Sequence, residues 1–438
     1  MHRIVLIGAG STNFGLGVVG DIFKSKSLEE STIVLHDINS NALNNTSKIA
    51  SEYKEKLGKK ITIESTTSRK EALKGASFCL ISIEVGNRFD LWDQDWKIPL
   101  QYGVKQIYGE NGGPGGLFHS LRIIPPILEI CEDIQSICPD AYVFNYSNPM
   151  QRVCHAVTTK FPDLKFIGLC HEIESRRRQL PTLMETELSN IEFRAGGLNH
   201  FSILLNAKYK NNGKDGYPLI KKNFWNYFKD LVNDHEGFES EPGAERGVFF
   251  KIYEDFKYLP ITTDSHLGEY VQWAYSVADH EAILHFYDNY KKKCLTFFEN
   301  DKIYSSFFDL ENDRFHERFV PIAEAIIEDQ VIEESSVNIP NNGFIDCLPK
   351  DIVVEVPAMV DKKGIKGITL ENYPKTFGSL LNLQSGVIQL TTQAVLEKSK
   401  HKAYLALLAD PVVTSATDAE NLLNNMIAVQ HKYLSYLN

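Results

Sequence analysis

The sequence predicts an α/β protein, a doubly wound parallel sheet followed by a C-terminal α+β domain. Strand-like and helix-like patterns alternate from Ile4 to Leu169 at the spacing of β–α units. The first strand runs into a glycine turn, Gly8-Ala9-Gly10-Ser11, that opens a helix. After this region the alternation gives way to β-like runs and long amphipathic helices. We therefore expect two domains, residues 1–190 and residues 191–438.

The elements of the first domain follow from hydrophobic patterning. The predicted strands are Ile4–Ile7, Thr32–Leu35, Ile61–Glu64, Phe78–Ile83, Tyr142–Asn145 and Phe166–Leu169. The predicted helices are Phe14–Phe23, Ala42–Leu57, Leu117–Ile137 and Pro149–Thr159. Pro125 and Pro126 are expected to bend or restart the third helix, because proline cannot donate a helical hydrogen bond.

The second domain has fewer regular signals. Two β-like runs flank Gly196–His200, and helices are predicted at Trp225–Val232 and His280–Leu295. A strand pair is expected at Phe344–Ile345 and Ile352–Val356. This pattern predicts an α+β domain rather than a repeat of the first.

Composition excludes several classes of protein. The chain carries 46 basic and 57 acidic residues, a net charge of −11, which argues against nucleic-acid or anionic-membrane partners. The N-terminal segment lacks the features of a signal peptide, and no window approaches the ~18 apolar residues of a membrane span. The 7 cysteines are odd in number and scattered, as is typical of reduced thiols. These observations predict a soluble, cytoplasmic protein.

The glycine turn predicts a dinucleotide site. Gly8 allows the tight turn, and Gly10 lets the backbone approach a pyrophosphate. Free N–H groups at the helix start, from Ser11, Thr12 and Asn13, would then bind phosphate oxygens. Asn13 stands where the Rossmann fingerprint has its third glycine.

Asp37 strengthens that prediction. It follows the second predicted strand, where a carboxylate can accept hydrogen bonds from both ribose hydroxyls and repel the 2′-phosphate of NADP. The structural alternative is a helix N-cap, a role that Asn39 or Ser40 could also fill. The combination favours NAD as the cofactor.

Further short motifs carry polar and titratable groups. They are Glu110-Asn111-Gly112-Gly113-Pro114-Gly115-Gly116, Asn145-Tyr146-Ser147-Asn148-Pro149, Cys170-His171-Glu172-Ile173, Asn199-His200, Asp264-Ser265-His266 and the late Asn338-Ile339-Pro340-Asn341 with Val354-Glu355-Val356-Pro357. Each has an ordinary structural explanation, such as a buried histidine, a helix cap or a turn. Cys170 and His171 at the end of one predicted strand, in a protein expected to hold NAD, nevertheless suggest a metal beside the nicotinamide.

With these residues the sequence resembles glycoside hydrolase family 4, the NAD- and divalent-metal-dependent glycosidases, along nearly its whole length. The matching pieces are Gly8-Ala9-Gly10-Ser11, Val85-Gly86-Asn87-Arg88, Gly113-Pro114-Gly115-Gly116 with Leu121-Arg122, Asn145-Tyr146-Ser147-Asn148-Pro149, Cys170-His171, Asn199-His200 and Ile339-Pro340-Asn341. This family departs from the usual two-carboxylate scheme of glycosidases.

The resemblance implies a redox mechanism. NAD⁺ would remove hydride from carbon 3 of the sugar, which acidifies the proton on carbon 2. Loss of that proton expels the aglycone by elimination, water adds to the unsaturated product, and NADH returns the hydride. A Mn²⁺-like divalent ion would polarise the carbonyl at carbon 3.

The resemblance also implies roles for individual residues. Cys170 and His200 resemble the metal-ligand pair, and Asn148 resembles a donor to sugar hydroxyls. Asp264 is the expected base at carbon 2, with Tyr258 and Tyr270 as alternatives. The expected general acid is Glu110, then His171, then Glu172.

The residues after the ligand cysteine bear on the substrate. Cys170-His171-Glu172 resembles members that act on unphosphorylated sugars, including α-glucosides, α-galactosides and α-galacturonides. Glu172 would repel a phosphate or carboxylate on the sugar, unless Arg88 offsets it. Arg88, Glu172 and Asn199 are therefore further candidates for substrate binding. The resemblance also implies a homodimer or homotetramer.

Two other functions are consistent with parts of the sequence. Its first half also resembles malate and lactate dehydrogenases, which would need a His–Asp couple and a second arginine for a hydroxy-acid carboxylate. A binding protein that kept only the nucleotide domain could tolerate loss of Cys170, His200 and Asp264, yet all three are present.

Overall fold

The first half of the chain forms the parallel part of one large sheet. The structure, a computed structural model, describes residues 2–229, 245–299, 304–312 and 314–438, without the side chains of Thr12 and Asn13. The strands are β1 (Arg3–Ile7), β2 (Thr32–His36), β3 (Thr62–Thr66), β4 (Phe78–Ile81), β5 (Tyr142–Asn145) and β6 (Lys165–Gly168). Their order is β3-β2-β1-β4-β5-β6, all parallel. This order confirms the predicted doubly wound sheet.

Helices connect these strands. They are α1 (Thr12–Lys24), α2 (Ser40–Lys56), α3 (Arg69–Leu73), α4 (Arg88–Gln101), α5 (Gly113–Ile137), α6 (Met150–Lys160) and α7 (Glu172–Met184). The four predicted helices are confirmed, whereas α3, α4 and α7 were not predicted. The expected break at Pro125 and Pro126 is wrong, since α5 continues through both. The helix is buried along most of its length, and this packing outweighs the lost hydrogen bonds.

The second half extends the same sheet with antiparallel strands. These are β7 (Ile191–Leu198), β8 (Phe201–Tyr209), β9 (Leu259–Pro260), β10 (Ile332–Pro340), β11 (Val353–Asp361) and β12 (Gly364–Gly367). Strand β10 joins β6, and the order continues β10-β11-β7-β8-β9, with β12 beside β11. The predicted strands on both sides of Gly196–His200 are therefore confirmed as β7 and β8.

The expected strand at Phe344–Ile345 is wrong. Strand β11 pairs with β10, β7 and β12, and the segment after Asn341 is a turn. The Asn341 side chain donates to the carbonyls of Ile345, Leu348 and Pro349 and accepts from the Ile345 amide. One asparagine thus occupies backbone groups that a strand would pair with a neighbour.

Helices cover the second half of the sheet and return to the first. They are α8 (Tyr217–Lys229), α9 (Gly247–Phe256), α10 (Asp264–Leu267), α11 (His280–Leu295), α12 (Phe319–Glu328), α13 (Lys375–Leu396), α14 (Lys400–Ala409), α15 (Ala416–Val429) and α16 (His431–Leu434). The predicted helix at His280–Leu295 is confirmed. Trp225 lies in α8, and the rest of that prediction, residues 230–232, lies outside the described residues. In the part of the chain described, no helix has the length and apolar character needed to cross a bilayer.

The two halves are closely joined. The C-terminal helices α13 and α14 pack on α5 of the first half. Buried Arg122 donates to the Asp95 carboxylate at 2.7 Å and to the Gln430 carbonyl oxygen at 2.7 Å, which ties α5 to α4 and to the residue before α16. Because the sheet runs without interruption across residue 190, the division into residues 1–190 and 191–438 stays a prediction.

Candidate active site

A cavity of about 1630 Å³ opens at the carboxyl edge of the parallel strands. Segments that follow β4, β5 and β6 line it, together with the start of α1. Ligands of doubly wound sheets bind at this edge, because the loops there converge outside the strand ends. Further walls come from the β7–β8 turn, one face of α11, the side chains of Thr263, Ser265 and His266, and residues between Ser306 and Arg318.

The glycine turn has the geometry of a nucleotide site. Gly8 has φ +88°, and a Cβ added there would lie 2.0 Å from the carbonyl oxygen of Ser82. A Cβ on Gly10 would lie 2.8 Å from a carboxylate oxygen of Asp37. Ser11 caps α1 without a side-chain hydrogen bond, and its buried hydroxyl has no partner among the described residues. The start of α1 therefore offers free donors to an anionic group.

Asp37 is held in place by backbone groups. Its carboxylate oxygens accept the Gly10 amide and the Asn39 amide, each at 2.8 Å. The N-cap role belongs to Asn39, whose side chain accepts the amides of Asn41 and Ala42. Asp37 is thus not required as a helix cap. Each of its carboxylate oxygens can still accept a further hydrogen bond from a ribose hydroxyl.

Cys170 and His200 meet inside the cavity. Cys170 follows β6, His200 lies in the β7–β8 turn, and Sγ lies 3.5 Å from Nε2. Metal bonds of about 2.3 Å to sulfur and 2.1 Å to nitrogen, at angles of about 90–110°, separate the two donor atoms by roughly 3.1–3.6 Å. The pair therefore fits two ligands of one first-row metal ion.

The electrostatics agree with a metal site. Burial, with smaller contributions from Glu355 and Glu172, raises the pKa of the Cys170 thiol well above its usual value. Burial and the neighbouring His266 lower the pKa of His200 well below its usual value. A divalent cation would offset the cost of the thiolate. Among the described residues, no group of three or more His, Cys, Asp or Glu side chains is arranged to hold a metal ion.

Glu355 holds the turn that carries His200. Its side chain is buried on β11, and its oxygens accept Asn199 Nδ2 at 3.1 Å and Ser202 Oγ at 2.7 Å. Burial raises the pKa of Glu355 to about 7 despite these hydrogen bonds. Asn199 and Ser202 stand on both sides of His200, so Glu355 fixes the turn that carries the histidine.

A second polar cluster surrounds Arg88. Its guanidinium donates to Glu110 Oε1 and to the Tyr290 hydroxyl, both at 2.8 Å. Its Nε lies 3.6 Å from Glu84 Oε2. Burial acts against ionisation of Glu84, yet His119 and Arg88 outweigh it and lower its pKa to about 2. The cluster presents a fixed cation between two carboxylates to the cavity.

Asp264 does not line the cavity, contrary to what its predicted role as base requires. Its carboxylate is fully buried and accepts the Phe249 amide at 3.0 Å and the Asp279 amide at 3.2 Å. Burial raises the pKa of Asp264, and these amide bonds oppose the shift. The carboxylate fastens the start of α9 to the segment before α11. The alternatives Tyr258 and Tyr270 do not line the cavity either.

The remaining predicted residues divide into two groups. Those that line the cavity are Ser11, Arg88, Glu110, Asn148, Cys170, His171, Glu172 and His200. The residues that do not line the cavity are Gly8, Gly10, Asp37, Asn199 and Asp264. The side chains of Thr12 and Asn13 are not among those that the structure describes. Asn199 was expected to bind substrate, but its amide is used by Glu355.

Sequence reasoning missed several residues of the site. Glu84 follows β4, and a charged residue directly after a parallel strand is a signal that could have identified it. Tyr108 and Tyr290 line the cavity from a loop and from α11, and no local pattern marks them. Glu355 was noted only as part of a motif, because its contacts depend on strand pairing.

Known proteins resemble this chain over nearly its whole length. Residues 3–185 match the model described as family 4 glycosyl hydrolase, and residues 195–413 match its C-terminal domain. An alpha-glucosidase of Erwinia rhapontici is 47% identical over 461 aligned positions that cover 99% of each chain. An alpha-galactosidase of Bacillus subtilis is 29% identical, over 97% of this chain and 96% of that protein.

A solved structure shares the fold. A 6-phospho-alpha-glucosidase from gut microorganisms, in complex with NAD and Mn²⁺, superposes with a TM-score of 0.81 at 22% identity and covers 98% of each chain. These matches favour the glycosidase over the hydroxy-acid dehydrogenase.

Proposed function

The chain belongs to family 4 of the glycosyl hydrolases, and we propose that it hydrolyses unphosphorylated α-glucosides with NAD⁺ and a divalent ion such as Mn²⁺. The observation that carries the proposal is the pairing of Cys170 Sγ and His200 Nε2 at 3.5 Å, in a cavity that begins at a dinucleotide turn. We favour an α-glucoside over an α-galactoside, because this chain is 47% identical to the alpha-glucosidase and 29% identical to the alpha-galactosidase.

The cofactor site is proposed at the start of α1. The turn of Gly8 and Gly10, with the amides of Ser11, Thr12 and Asn13, would hold the pyrophosphate, and Asp37 the ribose. Cys170 and His200 would hold the metal ion. When bound, NAD⁺ and the ion supply reversible oxidation at carbon 3 and polarisation of the carbonyl formed there.

The chain's own residues orient the sugar. Asn148 lines the cavity after β5 and can donate to sugar hydroxyls. Glu172 lies beside the metal pair and makes the inner cavity unfavourable for a phosphate or carboxylate. Arg88 is already paired with the carboxylates of Glu110 and Glu84, so its charge is largely offset.

The proton donor to the leaving group is proposed among three residues. Both oxygens of Glu110 accept hydrogen bonds, from Arg88 at 2.8 Å and from Asn111 at 3.1 Å. This arrangement favours an acceptor for sugar hydroxyls over a donor. His171, half exposed at the cavity, and Glu172 are the other candidates.

A glycoside panel tests the function. The panel comprises the p-nitrophenyl α-glucoside, α-galactoside, α-mannoside, α-galacturonide and a 6-phosphoglucoside, with NAD⁺, Mn²⁺ and thiol reductant omitted in turn. We expect fastest release from the α-glucoside, dependence on all three additions and no net NADH. NADH accumulation with a hydroxy acid, without glycoside cleavage, would contradict the proposal. Cytoplasmic location and a homodimer or homotetramer stay proposals from sequence and resemblance.

A further inference from the structure

Three residues form a hydrogen-bonded chain that ends in the cavity. Ser265 Oγ lies 2.8 Å from Glu245 Oε2 and 3.1 Å from His266 Nδ1. Glu245 and Ser265 are buried, whereas His266 is partly accessible and lines the cavity. These hydrogen bonds therefore connect the buried carboxyl of Glu245, through the Ser265 hydroxyl, to the His266 imidazole at the cavity wall.

The hydrogen bonds of Ser265 indicate which tautomer a neutral His266 imidazole adopts. Ser265 has one hydroxyl hydrogen, and Glu245 Oε2 also accepts from Thr263 Oγ1 at 2.9 Å. If Ser265 donates to Glu245, its contact with His266 must be donated by Nδ1–H of the imidazole. A neutral imidazole carries a hydrogen on one nitrogen only, so Nε2 is left as an acceptor.

The position of that acceptor is well defined. The His266 ring centroid lies 4.4 Å from that of His200 and 5.9 Å from that of Tyr108, on which it stacks at 28°. Within residues 2–229, 245–299, 304–312 and 314–438, no group forms a hydrogen bond with Nε2. An acceptor held beside the metal-ligand pair thus remains available to a ligand.

We propose that His266 contacts the sugar, with Nε2 accepting a hydrogen bond from a glycone hydroxyl, and that Ser265 and Glu245 are positioning residues for this tautomer. The inference rests on the proposed function, because that function places the sugar beside Cys170 and His200. It also adds a reason for substrate choice. A hydroxyl can donate to Nε2, whereas a phosphate or carboxylate oxygen only accepts and would face an unsatisfied acceptor.

Substitutions at His266 separate this role from a structural one. His266→Asn keeps a group that can hydrogen-bond Ser265 but removes the acceptor at the ε position, and His266→Gln restores an acceptor there. We expect His266→Asn to weaken glucose binding to the NAD⁺- and Mn²⁺-loaded enzyme about tenfold, as calorimetry would measure, and to raise KM similarly. His266→Gln should recover most of the loss, and Ser265→Ala should weaken binding about threefold.

Metal binding serves as the control. Titration of Mn²⁺ followed by electron paramagnetic resonance should show a Kd within twofold of wild type for His266→Asn. Unchanged glucose binding in His266→Asn and Ser265→Ala would overturn the inference. Equal losses of Mn²⁺ and glucose binding would overturn it too, since His266 would then only support His200. If wild type neither binds glucose nor cleaves any glycoside, the proposed function fails and the inference fails with it.

Discussion

The thiol of Cys170 lies 3.5 Å from Nε2 of His200, although 30 positions separate the two residues in the chain. Cys170 lies two residues after the last parallel strand, and His200 lies in the turn of the first antiparallel hairpin. The pair that we propose as metal ligands therefore forms only when β10 and β11 join the two halves of the sheet.

Substitution of Cys170 or His200 should strongly weaken metal binding. We expect Cys170→Ser and His200→Asn each to weaken Mn²⁺ binding by at least about 100-fold, because loss of a directly bonded group exceeds the 10–100-fold typical of supporting residues. Electron paramagnetic resonance of free Mn²⁺ gives the affinity directly. The control is Cys347→Ser, which changes a cysteine outside the cavity and should leave the affinity unchanged. Retention of wild-type affinity in Cys170→Ser would contradict the assignment.

Asp264 is expected to act in folding rather than in proton abstraction. Asp264→Asn keeps one carbonyl oxygen for the two amides that the carboxylate accepts, so we expect a loss of about 1–3 kcal/mol of stability. Denaturant unfolding measures that loss, and the activity of the folded protein should stay within a few-fold of wild type. A base at carbon 2 would instead give a 10²–10⁴-fold loss of kcat at nearly unchanged stability. The second result would restore the role that the sequence predicts.

The sequence predicted the parts of the site that are local. The turn at Gly8 and Gly10 follows a strand and opens a helix within a few residues, and the parallel sheet order confirms that context. Cys170 was identifiable for the same reason, since it lies only two residues after β6. Short-range patterns describe such segments because every determining contact is near in the chain.

Long-range contacts determine the rest. The environment of Asp264 depends on the amides of Phe249 and Asp279, each 15 positions away, so its burial could not be read from the motif. Glu355 reaches Asn199 across 156 positions through the pairing of β11 with β7. The strand order that creates this contact is set by packing of the whole sheet, which no local pattern encodes.

The coenzyme preference should depend on Asp37. Asp37→Ala removes the acceptor for both ribose hydroxyls, and we expect NAD⁺ binding to weaken about 30–150-fold, at about 1–1.5 kcal/mol for each of the two hydrogen bonds lost. Discrimination against NADP⁺ should fall, because the charge that repels the 2′-phosphate is gone. Fluorescence titration with NADH and NADPH gives both affinities. Asp37→Asn is the matched control, since it removes the charge and keeps an acceptor for the Gly10 amide. A preference for NADPH in the wild-type protein would refute this role.

Glu355 should control metal affinity without contacting the metal. Its carboxylate holds Asn199 at 3.1 Å and Ser202 at 2.7 Å, on both sides of His200. We expect Glu355→Ala to weaken Mn²⁺ binding about 10–100-fold, because the turn loses both contacts. Glu355→Gln should retain most of the affinity. Its carbonyl can accept from Asn199. Its amide can donate to the Ser202 oxygen, because the Ser202 hydroxyl hydrogen can be donated instead to the Leu198 carbonyl at 2.9 Å. Ser202→Ala leaves the Asn199 contact intact and should cause a smaller loss. If Glu355→Gln and Glu355→Ala weaken Mn²⁺ binding equally, the charge of Glu355 rather than its hydrogen bonds supports the metal site.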